Sequence, residues 1–390
     1  MRTDLKFSVI LLCVLMAGCA KSPLQPWVDD FADAPWATDP TRKVPILFNM
    51  GGASFGTKAA IEDIEDVQFG VLAVDVGEAA REGWADNDDW QILLRGKAAY
   101  AHNGQASFIE RAGADVVPVD YYYPLETFAD NDPDVEDRRY AFFGYRTSDE
   151  RLQDDAAVFD LDFDGTRFTK TVRIDTTDIL WAAAYCDTLY HPEGTAWTLG
   201  FNSDFSRTAR KWYPSAWMSY MPTLRFNHLT AALHFKLFAA DAEAEASFVD
   251  AAGDTLVTVS DLQVSSLPTR ATLDVLTGTL TPVEGSAETL TINGGSLIPT
   301  VAGVEYGQGL FIVPTTDDIF VSFTLNTPVG TYTPAEPYKV SLTGGFIAGK
   351  SYTFRIVVKS LESVIINVEL QPWEPAENLS EEEALIANLG

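Results

Sequence analysis

The sequence predicts an all-β protein. Three observations carry this reading: side chains alternate with a period of two through much of the chain, turn-forming residues part the alternating runs, and helical periodicity is scarce. The clearest run is Asn227 to Phe238. Leu229, Ala231, Leu233, Phe235 and Leu237 fall on one face, and His228, Thr230, Ala232, His234 and Lys236 on the other. Successive side chains of a strand point to opposite sides, so the pattern describes a strand with one apolar and one wet face. Val158 to Ile174 is expected to form a hairpin of VFDLDF and TRFTKTVRI, turning at Asp164-Gly165. Asp-Gly supplies the positive φ that a two-residue hairpin turn needs.

The last third repeats the theme. LFIVP, IFVSFTL, FIAGKSYTFRIVV and VIINVELQPW are strands parted by Pro, Gly, Asn and Asp. In the final run Val364, Ile366, Val368 and Leu370 face one way, and Ile365, Asn367, Glu369 and Gln371 the other. Two short helices are expected, one over Thr57 to Val67 and one at the terminus, where Ser380 with Glu383 resembles a capping box. Many short strands with regular turn signals suggest β-sandwiches. The 390 residues, 46% of them hydrophobic, suit two domains with real cores.

The first residues read as a targeting segment. Arg2 and Lys6 precede an apolar run from Phe7 to Met16, which is too short to span a bilayer, and Ala17-Gly18 stand directly before Cys19. This resembles a lipoprotein signal peptide, with Met16 where Leu is more usual. The resemblance implies cleavage after Gly18 and lipidation of the Cys19 sulfur, which would anchor the chain in the outer membrane. No later stretch is apolar for long enough to span a bilayer. The expected organisation is a signal peptide at 1–18, a linker or propeptide at 19–43, an N-terminal β-sandwich at 44–215, a C-terminal β-sandwich at 216–373 and an acidic tail at 374–390. Pro and aromatic residues cluster between strand runs from Trp212 to Pro222, which suits the domain boundary.

Charge bounds the partners. Loss of Arg2, Lys6 and Asp4 takes 27 basic and 56 acidic residues to 25 and 55, a net of −30. Such a surface repels nucleic acid and anionic membrane. Of the three cysteines, Cys13 would be removed and Cys19 lipidated, so Cys186 would have no partner for an internal disulfide and is expected to be a small buried residue.

Chemistry-bearing motifs are sparse. Gly52-Ala53-Ser54-Phe55-Gly56 fits the G-x-S-x-G pattern of a nucleophile elbow, but Ser54 lies only 35 residues after Cys19. That leaves no room for the βα units that normally precede an elbow, so a Gly/Ser loop is the expectation. Asp160, Asp162, Asp164 and Gly165 match the first half of a calcium loop, but Thr171 stands where its closing acidic residue belongs. Asp130, Asp132 and Asp134 form a similar run with Val135 in place of the glycine. His228 and His234 share a strand face six residues apart, roughly 20 Å at about 3.3 Å per residue, too far to share a metal. His102 and His191 complete the histidines. No cofactor and no metal are expected. Trp84, Trp90 and Tyr121-Tyr122-Tyr123, beside acidic loops, are candidates for sugar stacking, with core packing the alternative for most aromatic residues.

Several segments, in order, resemble fimbrillins, the subunits of the type V pili of Bacteroidales. After the lipobox come Pro45-Ile46-Leu47-Phe48, a Gly/Ser stretch and Thr57-Lys58-Ala59. Asp178-Ile179-Leu180-Trp181-Ala182 follows, then Leu224-Arg225-Phe226-Asn227-His228 and an alternating strand. The late segments are Leu310-Phe311-Ile312-Val313-Pro314, Ala348-Gly349-Lys350-Ser351-Tyr352-Thr353-Phe354 and Leu370-Gln371-Pro372-Trp373. The resemblance implies two tandem transthyretin-like β-sandwich domains and assembly by strand exchange. A protease would remove an N-terminal strand, here that of Val44, Ile46 and Phe48. A C-terminal strand of the next subunit, here that of Val364, Ile366, Val368 and Leu370, would fill the groove. Lys58 stands where the family's cleavage site usually carries Arg. Arg42 offers a second site, although a cut there would leave the strand in place. An uncut, lipidated subunit resembles the anchor of such pili more than the stalk. The 17 residues after Trp373, with five glutamates, could hinder donation or cap the subunit.

The expected function is thus a structural, non-enzymatic pilus or adhesin subunit on the cell surface, with anchor, stalk and tip roles open. Its expected partners are other pilus subunits, the outer membrane through Cys19, and a host protein or glycan receptor. The alternatives are a surface glycan-binding lipoprotein, resting on the tryptophan set, and a lipid-anchored hydrolase, resting on Ser54.

Overall fold

The computed structural model describes residues 46, 48–50, 67–75, 91–102, 105–122, 140–185, 189–190, 196–197, 223–224, 226–360 and 363–372. The helix expected from Thr57 lies outside these residues up to Asp66, and Val67 already begins a strand. The helix expected at Ser380 lies outside them too. The described chain is essentially all-β and falls into two clusters of sheets.

The first half carries β1 (Phe48–Met50), β2 (Val67–Asp75), β3 (Gln91–His102), β4 (Gln105–Ala112), β5 (Asp115–Pro118), β6 (Tyr140–Arg146), β7 (Asp162–Phe163), β8 (Phe168–Arg173), β9 (Leu180–Tyr185), β10 (Leu189–Tyr190), β11 (Ala196–Trp197) and β12 (Thr223–Leu224). Its main sheet runs β1-β12-β9-β6-β2-β3-β4-β5, and β4 pairs again with β1. The sheet therefore returns on itself through β1.

Both faces of its central strands are covered. Along β2, Phe69, Val71 and Ala73 enter one core, together with Phe108, Phe142, Leu224 and Phe226. Leu72 and Val74 enter another, with Phe143, Tyr145 and Phe168. A strand buried on both sides reads as a nearly continuous apolar run, which is what VQFGVLAVD is.

The second half carries β13 (Asn227–His228), β14 (Ala231–Ala239), β15 (Thr258–Pro268), β16 (Arg270–Asp274), β17 (Thr279–Pro282), β18 (Ala287–Thr291), β19 (Val304–Glu305), β20 (Leu310–Ile312), β21 (Ile319–Thr327), β22 (Gly330–Tyr332), β23 (Tyr338–Val340), β24 (Lys350–Ser360) and β25 (Ser363–Pro372). One helix, α1 (Ala242–Ser247), is present among the described residues, capped by the Asp241 carboxylate accepting from the Ala244 amide at 2.8 Å. Sheets β19-β14-β24-β25 and β18-β15-β21-β22 form a sandwich. Its core takes Leu233, Phe235 and Leu237 from β14, Val259 and Val264 from β15, Val321 and Phe323 from β21, and Phe354 and Ile356 from β24. The alternation read in β14 is thus the inward face of this sandwich.

A small third sheet joins the halves. It runs β17-β16-β8-β7, two strands from each half, with Ala271 opposite Val172 and Leu273 opposite Lys170. Ala271, Leu273, Val275 and Leu276 enter the core that also holds Phe143, Tyr145 and Val172. A buried leucine side chain contributes about 1.5–3 kcal/mol by leaving water, so Leu273 and Leu276 matter to both halves. The indole of Trp181 donates to the Val275 carbonyl at 2.7 Å. Gly278, at φ +68°, lies beneath that ring, where a Cβ would come within 2.6 Å of it.

The hairpin expected at Val158–Ile174 forms only at its tip. Phe163 pairs with Phe168 across a four-residue turn, not a two-residue one. Asp164 sets that turn by accepting from the amides of Thr166 and Arg167, at 2.9 and 2.8 Å. Residues before it form turns instead of a strand, because Val158, Phe159 and Leu161 all bury in the core beneath β8 and β16. Alternation would have sent only every second residue there.

Candidate functional site: the closing strand and the last strand

β1 is three residues long and has a neighbour on each side. Phe48 and Asn49 pair antiparallel with Ala106 and Gln105 of β4. Asn49 and Met50 pair parallel with Thr223 and Leu224 of β12. Just before it, the Ile46 amide donates to the Tyr121 carbonyl at 2.8 Å, and the Ile46 side chain is 2% exposed in the core with Phe69, Phe108 and Leu224. Withdrawal of this segment would leave two strand edges unpaired and an apolar slot open between them.

Tyr121 holds the flank of that slot. Its ring meets Phe108 edge-on at 4.9 Å, and Lys97 Nζ lies 5.0 Å from its centre. Its hydroxyl donates to Glu110, and Lys97 approaches Glu110 at 3.7 Å. Burial, then the bond to Glu110, raises the Tyr121 phenol above its ordinary value, while the bond to Tyr121 raises Lys97. Of the residues expected to stack on sugars, Tyr121 is thus packed at the slot and Tyr122 is exposed. Tyr123, Trp84 and Trp90 lie outside the described residues.

At the other end of the chain, β25 pairs antiparallel with β24 from Lys350–Pro372 to Ser360–Ser363. Val364 lies opposite Val358, Ile366 opposite Ile356, Val368 opposite Phe354 and Leu370 opposite Tyr352. β25 is the last strand of its sheet and pairs with β24 alone among the described residues. It is a ten-residue edge strand docked on its own subunit. Cys19, Arg42, Val44, Ser54, Lys58 and Cys186 lie outside the described residues, as do Asp130, Asp132, Asp134 and His191.

Of the half calcium loop, the Asp160 carbonyl and the Asp164 carboxylate have other work. Lys170 Nζ donates to the carbonyls of Ala157 and Asp160, at 3.2 and 3.0 Å, and burial lowers its pKa. Asp164 accepts from the Thr166 and Arg167 amides and also from the Arg167 guanidinium, bonds that hold its carboxyl well below the usual range. Among the described residues no group of His, Cys, Asp or Glu is arranged to hold a metal. His228 and His234 sit on different strands, β13 and β14.

His228 belongs to a cluster that pattern reading missed. Its Nδ1 is 2.7 Å from Asp178 Oδ2, and Thr230 Oγ1 donates to Asp178 Oδ1 at 2.9 Å. The Asp178 side chain is 1% exposed, and burial raises its pKa against the opposing bond from His228. Close by, the Leu229 amide donates to the Ile179 carbonyl at 2.8 Å, where the chain crosses from β13 to β14. Thr230 bonds the carboxylate and not the imidazole, so the set is a buried clasp without the order of a catalytic relay. Its members stand some 50 positions apart, and nothing local marks them as partners.

Residues 218–373 match a family model described as fimbrillin-like. Over these residues the chain is similar to the fimbrillin-like family. Solved structures resembling this chain include a fimbrial protein from Bacteroides vulgatus, 12% identical, covering 85% of this chain and 99% of that one, with a TM-score of 0.47. Another is the fimbrial anchor protein Mfa2 from Porphyromonas gingivalis, 11% identical, covering 85% and 98%, with a TM-score of 0.35. No curated protein matches the chain in sequence.

Proposed function

We propose that this chain assembles with other subunits by exchange of strands, with the segment of Val44, Ile46 and Phe48 as the strand to be removed and that of Val364, Ile366, Val368 and Leu370 as the strand donated. The observation that carries the proposal is the place of β1. Its three residues bridge β4 and β12, so the sheet closes through a short strand. β25 supports the other half of the reading: it is an edge strand, long enough to leave home and pair along a groove.

In this proposal the chain is lipidated at Cys19, held in the outer membrane, and built of two transthyretin-like sandwich domains at 44–215 and 216–373. The hairpin β16–β17 couples these domains. Lys58 and Arg42 are the candidate processing sites. Lys58 in place of Arg favours a subunit that keeps its β1, which suits an anchor. A receptor of protein or glycan character would be met by the assembled fibre.

The N-terminus and intact mass of the protein from native envelopes test this. A chain beginning at lipidated Cys19 assigns the anchor role, and one beginning at Ala59 assigns a processed stalk or tip subunit. A chain that begins at neither, with β1 intact and no lipid, overturns both roles.

A further inference from the structure

Asp175 and Thr176 lead out of β8 and face residues 290–293 and 308–310 of the second half across an open cleft of about 400 Å³. Small-ligand sites typically hold about 300–1,000 Å³ and favour the boundary between domains. The two walls are tied together where the Phe311 amide donates to the Asp175 carbonyl at 3.2 Å. Ile292 and Leu310, both buried, give the cleft an apolar floor.

The polar lining comes from Asp175, Thr176, Thr291, Asn293 and Gln308. The last four are exposed, and no hydrogen bond to another described residue engages their side chains. Asp175 differs. Both of its carboxylate oxygens are taken by Arg173, through Nε at 2.6 Å and Nη2 at 2.8 Å. The charge of the pair is cancelled within the protein.

These facts select a ligand class. A hard cation needs carboxylates that are not already engaged. An anion needs an available positive group and would approach a chain of net charge −29. What the cleft offers is two hydroxyls and two amides over an apolar floor, with no net charge. We infer that it binds a neutral, polyhydroxylated ring, the chemistry of an uncharged sugar residue. Hydroxyls of such a ring match Thr176, Thr291, Asn293 and Gln308, and its C–H face matches Ile292 and Leu310. Among the described residues no aromatic ring lines the cleft, so a single site binds weakly, in the millimolar range. Repetition of the site along a fibre would raise the avidity. The site itself does not depend on strand exchange; only the avidity does.

Saturation-transfer NMR on the full monomeric chain tests this, with galactose, N-acetylglucosamine and fucose as neutral probes and with glucuronate and inorganic phosphate as charged ones. At least one neutral sugar should take up saturation and the charged probes should not. Asn293→Ala and Gln308→Ala should each weaken binding about fivefold, the loss of one hydrogen bond, while Thr331→Ala in β22 leaves it unchanged. Both cleft residues are exposed, so circular dichroism should show the fold intact. Silence from every neutral sugar, preference for a charged probe, or binding that survives the double variant would overturn the inference. Assembly of the double variant is expected to stay normal, so a failure to assemble bears on strand exchange and not on this cleft.

Discussion

Phe48 lies opposite Ala106, and the strand that carries it runs on its other flank beside Thr223 and Leu224. Three residues thus hold two edges of one sheet together, while towards the other end of the chain the ten residues of β25 pair, among the described residues, with β24 alone. The two unequal attachments are what make an exchange of strands between subunits physically reasonable.

β25 must leave β24 if it is to be donated. Residues facing each other on antiparallel strands lie about 4.5–5.5 Å apart at Cα, within reach of a disulfide. In a Cys186→Ser background, Ile356→Cys with Ile366→Cys should form an intrachain disulfide, since the two positions are opposed. The locked chain should remain monomeric on gel filtration and assemble again once reduced. Normal assembly of the oxidised chain would show that β25 stays at home.

The hairpin β16–β17 makes the halves interdependent. Leu273→Ala opens a cavity in a core that also holds Phe143 and Val172, and should cost about 2–5 kcal/mol. Gly278→Ala forces a Cβ against Trp181 at a positive φ, a strain of order 1–3 kcal/mol. Urea unfolding followed at both halves should show the loss in the first half as well as the second. A loss confined to residues 216–373 would mean that the small sheet carries no coupling.

Asp178→Ala should cost about 1–3 kcal/mol, because it removes the acceptor of the buried Thr230 hydroxyl. Asp178→Asn keeps an acceptor for Thr230 and should cost less. Thermal melts of the two variants distinguish a clasp from an incidental contact, which would leave both melts unchanged.

Asp164 gives a pH signature. Its folded pKa is depressed by the amides of Thr166 and Arg167, so its contribution to stability is complete above the unfolded value of about 3.9 and is lost as pH falls through the lower folded value. The carboxyl carbon of Asp164 should therefore show no titration between pH 5 and 4, where an ordinary aspartate has begun to protonate. A midpoint near the ordinary value would mean that the turn is not capped in solution.

Local alternation was enough to place Leu233, Phe235 and Leu237 inward, and the runs around 310–312, 319–327, 350–360 and 363–372 are strands as read. Period-two burial is a property of neighbours in sequence, and sequence displays it. The turns at Val158–Leu161 are not legible locally because their apolar residues answer to β16, more than a hundred positions away. The pairing of Arg270–Asp274 with β8 and the meeting of Asp178 with His228 carry no local mark for the same reason. At the candidate site, Ile46 and Phe48 were legible as an apolar strand. Their position between β4 and β12 was not, since either edge could have been served by many short strands.

The central claim is that one subunit's last strand takes the place of another's β1. Cysteine cross-linking measures it most directly. In a Cys186→Ser background, Ala106→Cys on β4 is combined in turn with Val364→Cys, Ile366→Cys, Val368→Cys and Leu370→Cys, and assembled protein is oxidised and run without reductant. In protein whose β1 has been removed at Lys58, at least one pair should give a ladder of covalent oligomers, because a donated strand would lie beside Ala106 as Phe48 does. Assembled protein that yields no ladder from any pair, while Ile356→Cys with Ile366→Cys still closes within the chain, would contradict strand exchange through this groove.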